Sequence, residues 1–180
     1  GRSPTAEPSA PPPAADPAAR VRAAVQAVDE ARLRSAAADP ANWLTYGGTW
    51  AEQRYSPLAE IDAGNVGRLG LVWSFETDQV RGHEATPIVV DGVLFFTGPW
   101  SVVYAVDART GQKLWSHDPN VPLPTATKAC CDVVNRGVAV YEGKVFVGTL
   151  DGRLVALDAG TGKPVWEVQT VDTSRPYTVT

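Results

Sequence analysis

The sequence predicts an all-β fold that forms part of a β-propeller and is preceded by a short N-terminal helix. Two observations carry this prediction. From Asn42 onward, short β-branched runs alternate with Gly, Asp and Asn turns, which is typical of an all-β domain. In addition, a segment that ends at Trp115 recurs without a gap and ends again at Trp166, a period of 51 residues. A period near fifty with several strands per unit is typical of propeller blades.

Residues 1–17 precede the globular pattern and are predicted to form a disordered Pro/Ala-rich leader. This stretch holds six of the fifteen prolines in the chain. Such a composition cannot bury enough apolar surface to offset the entropy of ordering. The chain begins at Gly1 without an apolar signal segment and contains no Met. We therefore expect a chain that was processed or cut before its first residue.

Residues 18–39 are predicted to form one helix. Asp16 and Pro17 have the residue types of an N-cap and a first helical position. The stretch is rich in Ala and Arg, and Val21, Val25 and Val28 recur at helical spacing. Pro40 follows Asp39 and ends the pattern, so we expect a packing arm or part of the leader.

Residues 41–180 are predicted to be the N-terminal blades of an incomplete propeller. Asp91-Gly92, Glu142-Gly143 and Asp151-Gly152 are the residue types that tight hairpins need, because their backbone must adopt positive φ. The predicted strands lie around these turns, at 87–90, 93–96, 102–106, 137–140, 144–147 and 154–157.

The two repeats share the motif A-x-D-x-x-T-G-x-x-x-W. Asp107 and Asp158 with their Thr-Gly partners are expected to form tight turns, which is a structural role. The tryptophan that ends each motif is expected to dock flat between neighbouring blades, where its large apolar area is buried. A weaker copy ends at Trp73.

Charge and hydropathy exclude several functions. The net charge is −4, with 16 Lys and Arg against 20 Asp and Glu. This balance provides neither a basic surface for nucleic acid nor a polybasic membrane signal. No apolar run approaches the ~18 residues that a transmembrane helix requires. We therefore expect neither a nucleic-acid partner nor a transmembrane segment.

Cys130 and Cys131 are the only cysteines, and they are adjacent. A metal site is disfavoured, because there is no third Cys and neither His83 nor His117 stands at a zinc-ligand spacing. A disulfide between neighbours is strained, since their Cα atoms are only about 3.8 Å apart across a trans peptide. Taken alone, the residues leave two free thiols and a strained disulfide equally open.

The landmarks around this pair occur in a recognisable order. They are WLTYG at 43–47, QRYSPL at 53–58, GHEATP at 82–87, ACCDVVNRG at 129–137 and PYTVT at 176–180. Together with the blade motif, they resemble the N-terminal part of pyrroloquinoline-quinone (PQQ) dependent alcohol dehydrogenases of the methanol/ethanol type. The resemblance runs from about Asn42 to Thr180, and it implies an eight-bladed propeller.

The resemblance also implies a cofactor site. Cys130–Cys131 would form a vicinal disulfide that stacks on one face of PQQ. Glu84 would bind the polar edge of the quinone, Val134 would line the pocket, and Thr180 would hydrogen-bond the cofactor. Arg136 would lie beside the reactive quinone oxygens, as the catalytic residue of this segment. A guanidinium there can stabilise the negative charge that develops as hydride arrives.

The implied activity is the oxidation of primary alcohols to aldehydes, with hydride passing to PQQ and electrons passing to cytochrome c. The resemblance places the Ca²⁺ ligands and the catalytic Asp beyond residue 180 and the enzyme in the periplasm, where a disulfide persists. We expect the 180-residue chain alone to be inactive and unstable. The alternative is a non-catalytic propeller scaffold in outer-membrane assembly. A sugar dehydrogenase is disfavoured, because those relatives generally lack the paired cysteines.

Overall fold

The computed structural model describes residues 16–180, so the predicted leader lies outside the described residues except for Asp16 and Pro17. The Asp16 side chain caps the first helix by accepting a hydrogen bond from the backbone N–H of Ala18 at 3.0 Å. Pro17 occupies the first helical position, as predicted.

The single helix predicted over residues 18–39 is wrong in its continuity. Helix α1 spans Pro17–Gln26, helix α2 spans Glu30–Arg34, and a 3-10 turn follows at Ala36–Ala38. The interruption has two causes. The carbonyl of the buried Val28 accepts a bond from the N–H of Glu142, which follows the strand that ends at Tyr141, so this carbonyl is not available to the helix. Asp29 is extended and caps α2 through the N–H of Arg32 at 2.8 Å.

The β-strands form two four-stranded antiparallel sheets within the described residues, each with its strands in sequence order. The first sheet contains β1 (Ile88–Val90), β2 (Val93–Thr97), β3 (Val103–Asp107) and β4 (Lys113–His117). The second contains β5 (Ala139–Tyr141), β6 (Lys144–Gly148), β7 (Arg153–Asp158) and β8 (Pro164–Gln169). Each sheet is one propeller blade, which confirms the predicted all-β fold.

The predicted repeat is exact in register. In the first blade Ala105 pairs with Phe95 on one side and with Trp115 on the other. The second blade repeats this row with Ala156 between Phe146 and Trp166. Both blades also shift register at the residue that follows the alanine. The sequence period therefore corresponds to the spatial period of the blades.

The first hairpin of each blade adopts the backbone that its residue types predict, whereas at Asp151-Gly152 only the glycine has a positive φ, of 85°. Asp91 and Gly92 have φ of 46° and 78°, and Glu142 and Gly143 have φ of 41° and 77°. Two consecutive positive φ angles are the signature of the type I′ turn, whose twist matches that of the flanking strands.

Tryptophan docking holds the blades together. The indole N–H of Trp115 donates to the carbonyl of Ala159 at 2.8 Å, and its ring covers Gly162 of the second blade. Trp73 does the same on the first blade, where it bonds to the carbonyl of Ala108 at 3.1 Å. The expected docking is thus confirmed for Trp115, and Trp73 follows it although residues 69–75 form no strand. Trp166, which ends the second motif, is 41% exposed, and its docking stays a prediction.

The main core lies between the blades and under the two helices. It contains the inward-facing residues of both sheets together with Val21, Val25 and Val28, all three fully buried. Charged contacts join the same helix to both blades, because Arg20 pairs with Asp107 at 3.2 Å and Arg22 pairs with Asp158 at 2.7 Å. The helices therefore connect the two blades at their Asp-Thr-Gly turns.

Candidate functional site

The loop between β4 and β5 carries the paired cysteines. A 3-10 turn at Leu123–Lys128 leads into Cys130 and Cys131, and the loop then returns inward through Val133. Asp132 adopts a left-handed backbone with φ of 66°, and its carboxylate accepts two bonds from Arg81 at 3.1 and 3.2 Å. The cysteines consequently lie on an exposed turn whose base is buried.

The two thiols point to the same place. Their Sγ atoms are 2.8 Å apart without a covalent bond between them, and both residues are exposed. The adjacent Cys130 thiol raises the pKa of Cys131 above its ordinary value, and the charge of Arg136 opposes this effect. Glu84 raises the same pKa further. The predicted disulfide stays a prediction.

Arg136 and Thr180 meet although 44 residues separate them. The guanidinium Nη1 of Arg136 donates to the hydroxyl of Thr180. The carbonyl of Arg136 accepts the N–H of Thr86 at 3.1 Å, which joins the loop to the segment that contains Glu84. Gly137 permits this approach, since its φ is 132° and a Cβ there would lie 2.9 Å from the carbonyl oxygen of Thr86.

The structure therefore brings together most of the predicted site residues. Arg136 contacts Thr180, and two bonds, from Arg81 to Asp132 and from Thr86 to Arg136, hold the segment that contains Glu84 against the cysteine loop. Val134 differs, because only 4% of it is exposed and little of its side chain is available to a ligand. Its assignment to the pocket stays a prediction.

Tyr46 is a neighbour of this site for which the sequence predicts no role. The guanidinium of Arg54 lies over its ring, 4.2 Å from the ring centroid. Hydrogen bonding to Thr86 and the nearby charges of Arg54 and Arg136 lower the pKa of Tyr46 below its ordinary value. Its segment was visible in the sequence only as a landmark, and no spacing rule connects it to a loop ninety residues later.

An apolar cavity of about 380 Å³ lies elsewhere, on the face of the first blade that turns away from the second. Trp73, Phe75 and Phe96 are among its lining residues, and His83 contributes a side chain that bonds to Thr77 at 2.9 Å. None of the predicted site residues lines it. The cavity is therefore part of the open blade face and separate from the cysteine loop.

Within residues 16–180, no three His, Cys, Asp or Glu side chains are grouped so that they could hold a metal ion. The helices of this part of the chain are also too short and too polar to cross a membrane.

The blades, their tryptophan docks and the cysteine loop define a tryptophan-docked β-propeller with a candidate cofactor site. The family described as "PQQ: Glucose/ethanol/alcohol dehydrogenase, beta-propeller domain" matches residues 43–169. The chain belongs to this family of PQQ β-propeller dehydrogenases.

Sequence identity to other proteins supports this family membership. The chain is 62% identical over 139 residues to a "1-butanol dehydrogenase (cytochrome c)" from Thauera butanivorans, covering 77% of this chain and 20% of that protein. It is 57% identical over 154 residues to the "Quinohemoprotein alcohol dehydrogenase ADH-IIG" of Pseudomonas putida, covering 85% of this chain and 21% of that protein. The chain thus spans about a fifth of the length of these relatives.

Solved structures show the same architecture. The quinohemoprotein alcohol dehydrogenase from Comamonas testosteroni superimposes with a TM-score of 0.86 at 52% identity, over 91% of this chain and 25% of that one. A europium-containing methanol dehydrogenase gives a TM-score of 0.77 at 38% identity, over 83% of this chain and 26% of that one. The blades described above are therefore part of a PQQ-type propeller.

Proposed function

We propose that this chain is the N-terminal part of a PQQ-dependent alcohol dehydrogenase that oxidises primary alcohols to aldehydes. One observation supports the proposal above the others: hydrogen bonds join the segment that contains Glu84 and the last residue, Thr180, to the loop that carries the cysteine pair and Arg136. The names of the relatives, a 1-butanol dehydrogenase and a quinohemoprotein alcohol dehydrogenase, support the same activity.

The side chains at this position fit PQQ, which is a planar ortho-quinone with three carboxylates. The exposed sulfurs of Cys130 and Cys131 offer a polarizable surface for a flat ring. The Arg136 guanidinium and the Thr180 hydroxyl supply hydrogen-bond donors at its rim. When bound, PQQ supplies the hydride acceptor that the protein itself lacks.

Arg136 holds a permanent positive charge at the site. Its guanidinium is exposed, and the bond to Thr180 fixes the direction in which it points. A charge held in this way stabilises negative charge that develops on quinone oxygens, and no side chain has to reorganise during the reaction. Thr180 thus orients the guanidinium in addition to any bond of its own to the cofactor.

The activity is tested by Arg136→Gln in the complete protein loaded with PQQ. We expect kcat for a primary alcohol, followed by reduction of an artificial dye, to fall by about 10²- to 10³-fold, as when one preorganised donor is removed from an active site. Arg68→Gln is the matched control, because Arg68 is an exposed arginine in a remote 3-10 turn. It should leave kcat unchanged.

Two results would contradict this function. If Arg136→Gln kept full kcat, the role of the guanidinium would be wrong. If the folded wild-type protein neither bound PQQ nor oxidised alcohols, the scaffold alternative would replace the enzyme.

A disulfide between Cys130 and Cys131 is part of the proposal. The exposed, adjacent sulfurs need little movement to bond. Thiol titration of the 180-residue chain, unfolded but not reduced, should find no free thiol. Titration of the same chain after reduction should find two. Two thiols before reduction would show that the ring does not form.

The partners and the metal are proposed on the same basis. A cytochrome c is the expected electron acceptor, since the butanol-oxidising relative carries that term in its name. The periplasm is the expected location, because it is oxidising enough to preserve a disulfide. Ca²⁺ is the expected metal, with ligands beyond residue 180, and metal analysis of the complete protein would distinguish it from a lanthanide such as that of the europium-containing relative.

A further inference from the structure

Asn135 is a buried amide directly before Arg136, and its polar atoms bond to both blades. Only 2% of Asn135 is exposed. Its Nδ2 donates to the hydroxyl of Ser101 in the first blade at 3.2 Å and to the carbonyl of Gly148 in the second at 2.8 Å. Its Oδ1 accepts the N–H of Gly137 at 3.1 Å. The residues on both sides of Arg136 are therefore tied together.

The first blade contributes an unusual turn to this arrangement. Trp100 and Ser101 are consecutive non-glycine residues in the left-handed region, with φ of 60° and 61°. Non-glycine residues adopt this backbone only where the surroundings impose it. The turn has two uses here: the N–H of Trp100 bonds to the carbonyl of Val133 at 2.8 Å, and the fully buried hydroxyl of Ser101 faces Asn135.

Ser101 also joins the second blade directly, because its Oγ accepts the N–H of Leu150 at 3.1 Å. The hydroxyl therefore accepts one bond from the loop and one from the end of the second blade's hairpin. The strained turn, the buried amide and the loop form one hydrogen-bonded unit beneath an exposed arginine.

We infer that Asn135 and Ser101 are positioning residues that hold Arg136 at the reaction site. The inference rests on the proposed function for its chemistry, and on buried hydrogen bonds for its geometry. Neither residue is exposed, so both act through Arg136 rather than on a ligand. Asn135 fixes the backbone on one side of Arg136 and, through Gly137, on the other.

A purely structural role at the junction between blades is the competing explanation. It would lower stability and leave the arginine correctly placed in every molecule that folds. The distinction is therefore made on folded protein, by the turnover of each PQQ-loaded site and by the exchange of the Thr86 amide hydrogen. That N–H donates to the carbonyl of Arg136 and reports the position of the loop without any cofactor.

The experiment compares Asn135→Ala and Ser101→Gly with Asn42→Ala in the complete protein. Glycine at 101 keeps the left-handed backbone without strain and removes only the small hydroxymethyl side chain, so this variant should fold even where Asn135→Ala does not. Asn42 is the matched control, because its amide also makes three bonds, to Asp39 and Asp91. The contacts of Asn42 also lie away from the site. Asp91 precedes β2, whereas the site loop bonds to the last residue of that strand, Thr97, through the carbonyl of Asn135.

We expect Ser101→Gly and Asn135→Ala to lower kcat per bound PQQ by about 10- to 100-fold, as for a small misplacement of a catalytic group. In PQQ-free protein, the Thr86 amide should exchange at least about tenfold faster than in wild type, while strand amides keep their rates. Asn42→Ala should lower the thermal midpoint and change neither readout.

Wild-type kcat per bound PQQ and wild-type Thr86 exchange in Ser101→Gly would overturn the inference, whatever happens to stability. The two proposals fail separately. A wild-type protein without PQQ-dependent activity would refute the proposed function, and Thr86 exchange would still decide whether Asn135 and Ser101 hold the loop.

Discussion

Gly162 and Gly92 share a left-handed backbone and differ in what lies beside them. Their φ angles are 69° and 78°. A Cβ on Gly162 would lie 2.5 Å from the Trp115 ring, whereas a Cβ on Gly92 would meet nothing within 4 Å. The two positions therefore separate the cost of backbone strain from the cost of displacing a docked tryptophan.

Gly92→Ala should lower the free energy of unfolding by about 1–2 kcal/mol, the usual cost of a non-glycine residue in this backbone. Gly162→Ala should cost about 2 kcal/mol more, because the added methyl forces Trp115 from its dock and overpacks the blade interface. Denaturant unfolding of the complete protein measures both. Equal losses for the two variants would show that the indole does not need the open space over Gly162.

The residue scale also shows where sequence reasoning stops. The motif predicted that Trp115 docks, because a large apolar side chain recurs at a fixed distance from a Thr-Gly turn. Nothing comparable marks Ser101 or Asn135. Their function depends on a hydrogen bond between residues 34 positions apart. It also depends on a left-handed backbone at position 101, where the residue is Ser and not the Gly or Asn that would predict such a backbone.

At the scale of elements, helix α1 joins the two blades through ion pairs with the Asp of each Asp-Thr-Gly turn. The bond from Arg22 is the leading cause that lowers the pKa of Asp158 to about 2. The pKa of Asp in an unfolded chain is about 3.9. A pKa depressed in the folded state stabilises the fold above the unfolded value, and the benefit is lost as the pH falls through the folded value.

Asp158→Asn should therefore lower the thermal midpoint at pH 7, and the difference from wild type should shrink as the pH falls from about 4 towards 2. The side chain of Arg22 is 45% exposed, so screening by solvent limits the effect to about 1 kcal/mol. Glu60→Gln, an exposed carboxylate in an irregular segment, should show no difference at either pH. A constant difference down to pH 2 would exclude the ion pair as its source.

The strands were more predictable than the helices for a physical reason. Each strand is predicted from local features, because alternating apolar residues and turn residues lie within a few positions of one another. The repeat contains the same pattern twice, which strengthens the prediction. The break between α1 and α2 is a tertiary effect, because the carbonyl of Val28 accepts a bond from Glu142 in the β5–β6 turn, 114 positions later. Helical spacing of Val21, Val25 and Val28 correctly identified the buried face and could not reveal this diversion.

For the whole molecule, the site was predictable only through resemblance. Arg136 and Thr180 meet because the second blade returns the chain to the loop that precedes it, and no spacing within the sequence specifies that distance. Within residues 16–180, one blade face also stays open at each side. Residues 164–169 of β8 are all exposed, and 41% of Trp166 is exposed, in contrast to the docked Trp115.

These open faces predict how the 180-residue chain behaves alone. Trp166 and Val168 lie on the same side of β8, and Phe146 packs beside Trp166 with ring centroids 5.9 Å apart. An exposed apolar sheet face of this kind promotes association between copies. The isolated chain should therefore scatter light at micromolar concentration and show no cooperative unfolding transition in calorimetry.

Val168→Lys should reduce this association, because it places a charge on the open face. Val80→Lys makes the same chemical change at a fully exposed position outside the sheets and should have a much smaller effect. Cooperative unfolding of a monomeric wild-type chain would contradict the prediction, and so would equal effects of the two lysines. Equal effects would mean that association depends on the net charge of the chain and not on the exposed face of β8, where the next blade of a propeller would pack.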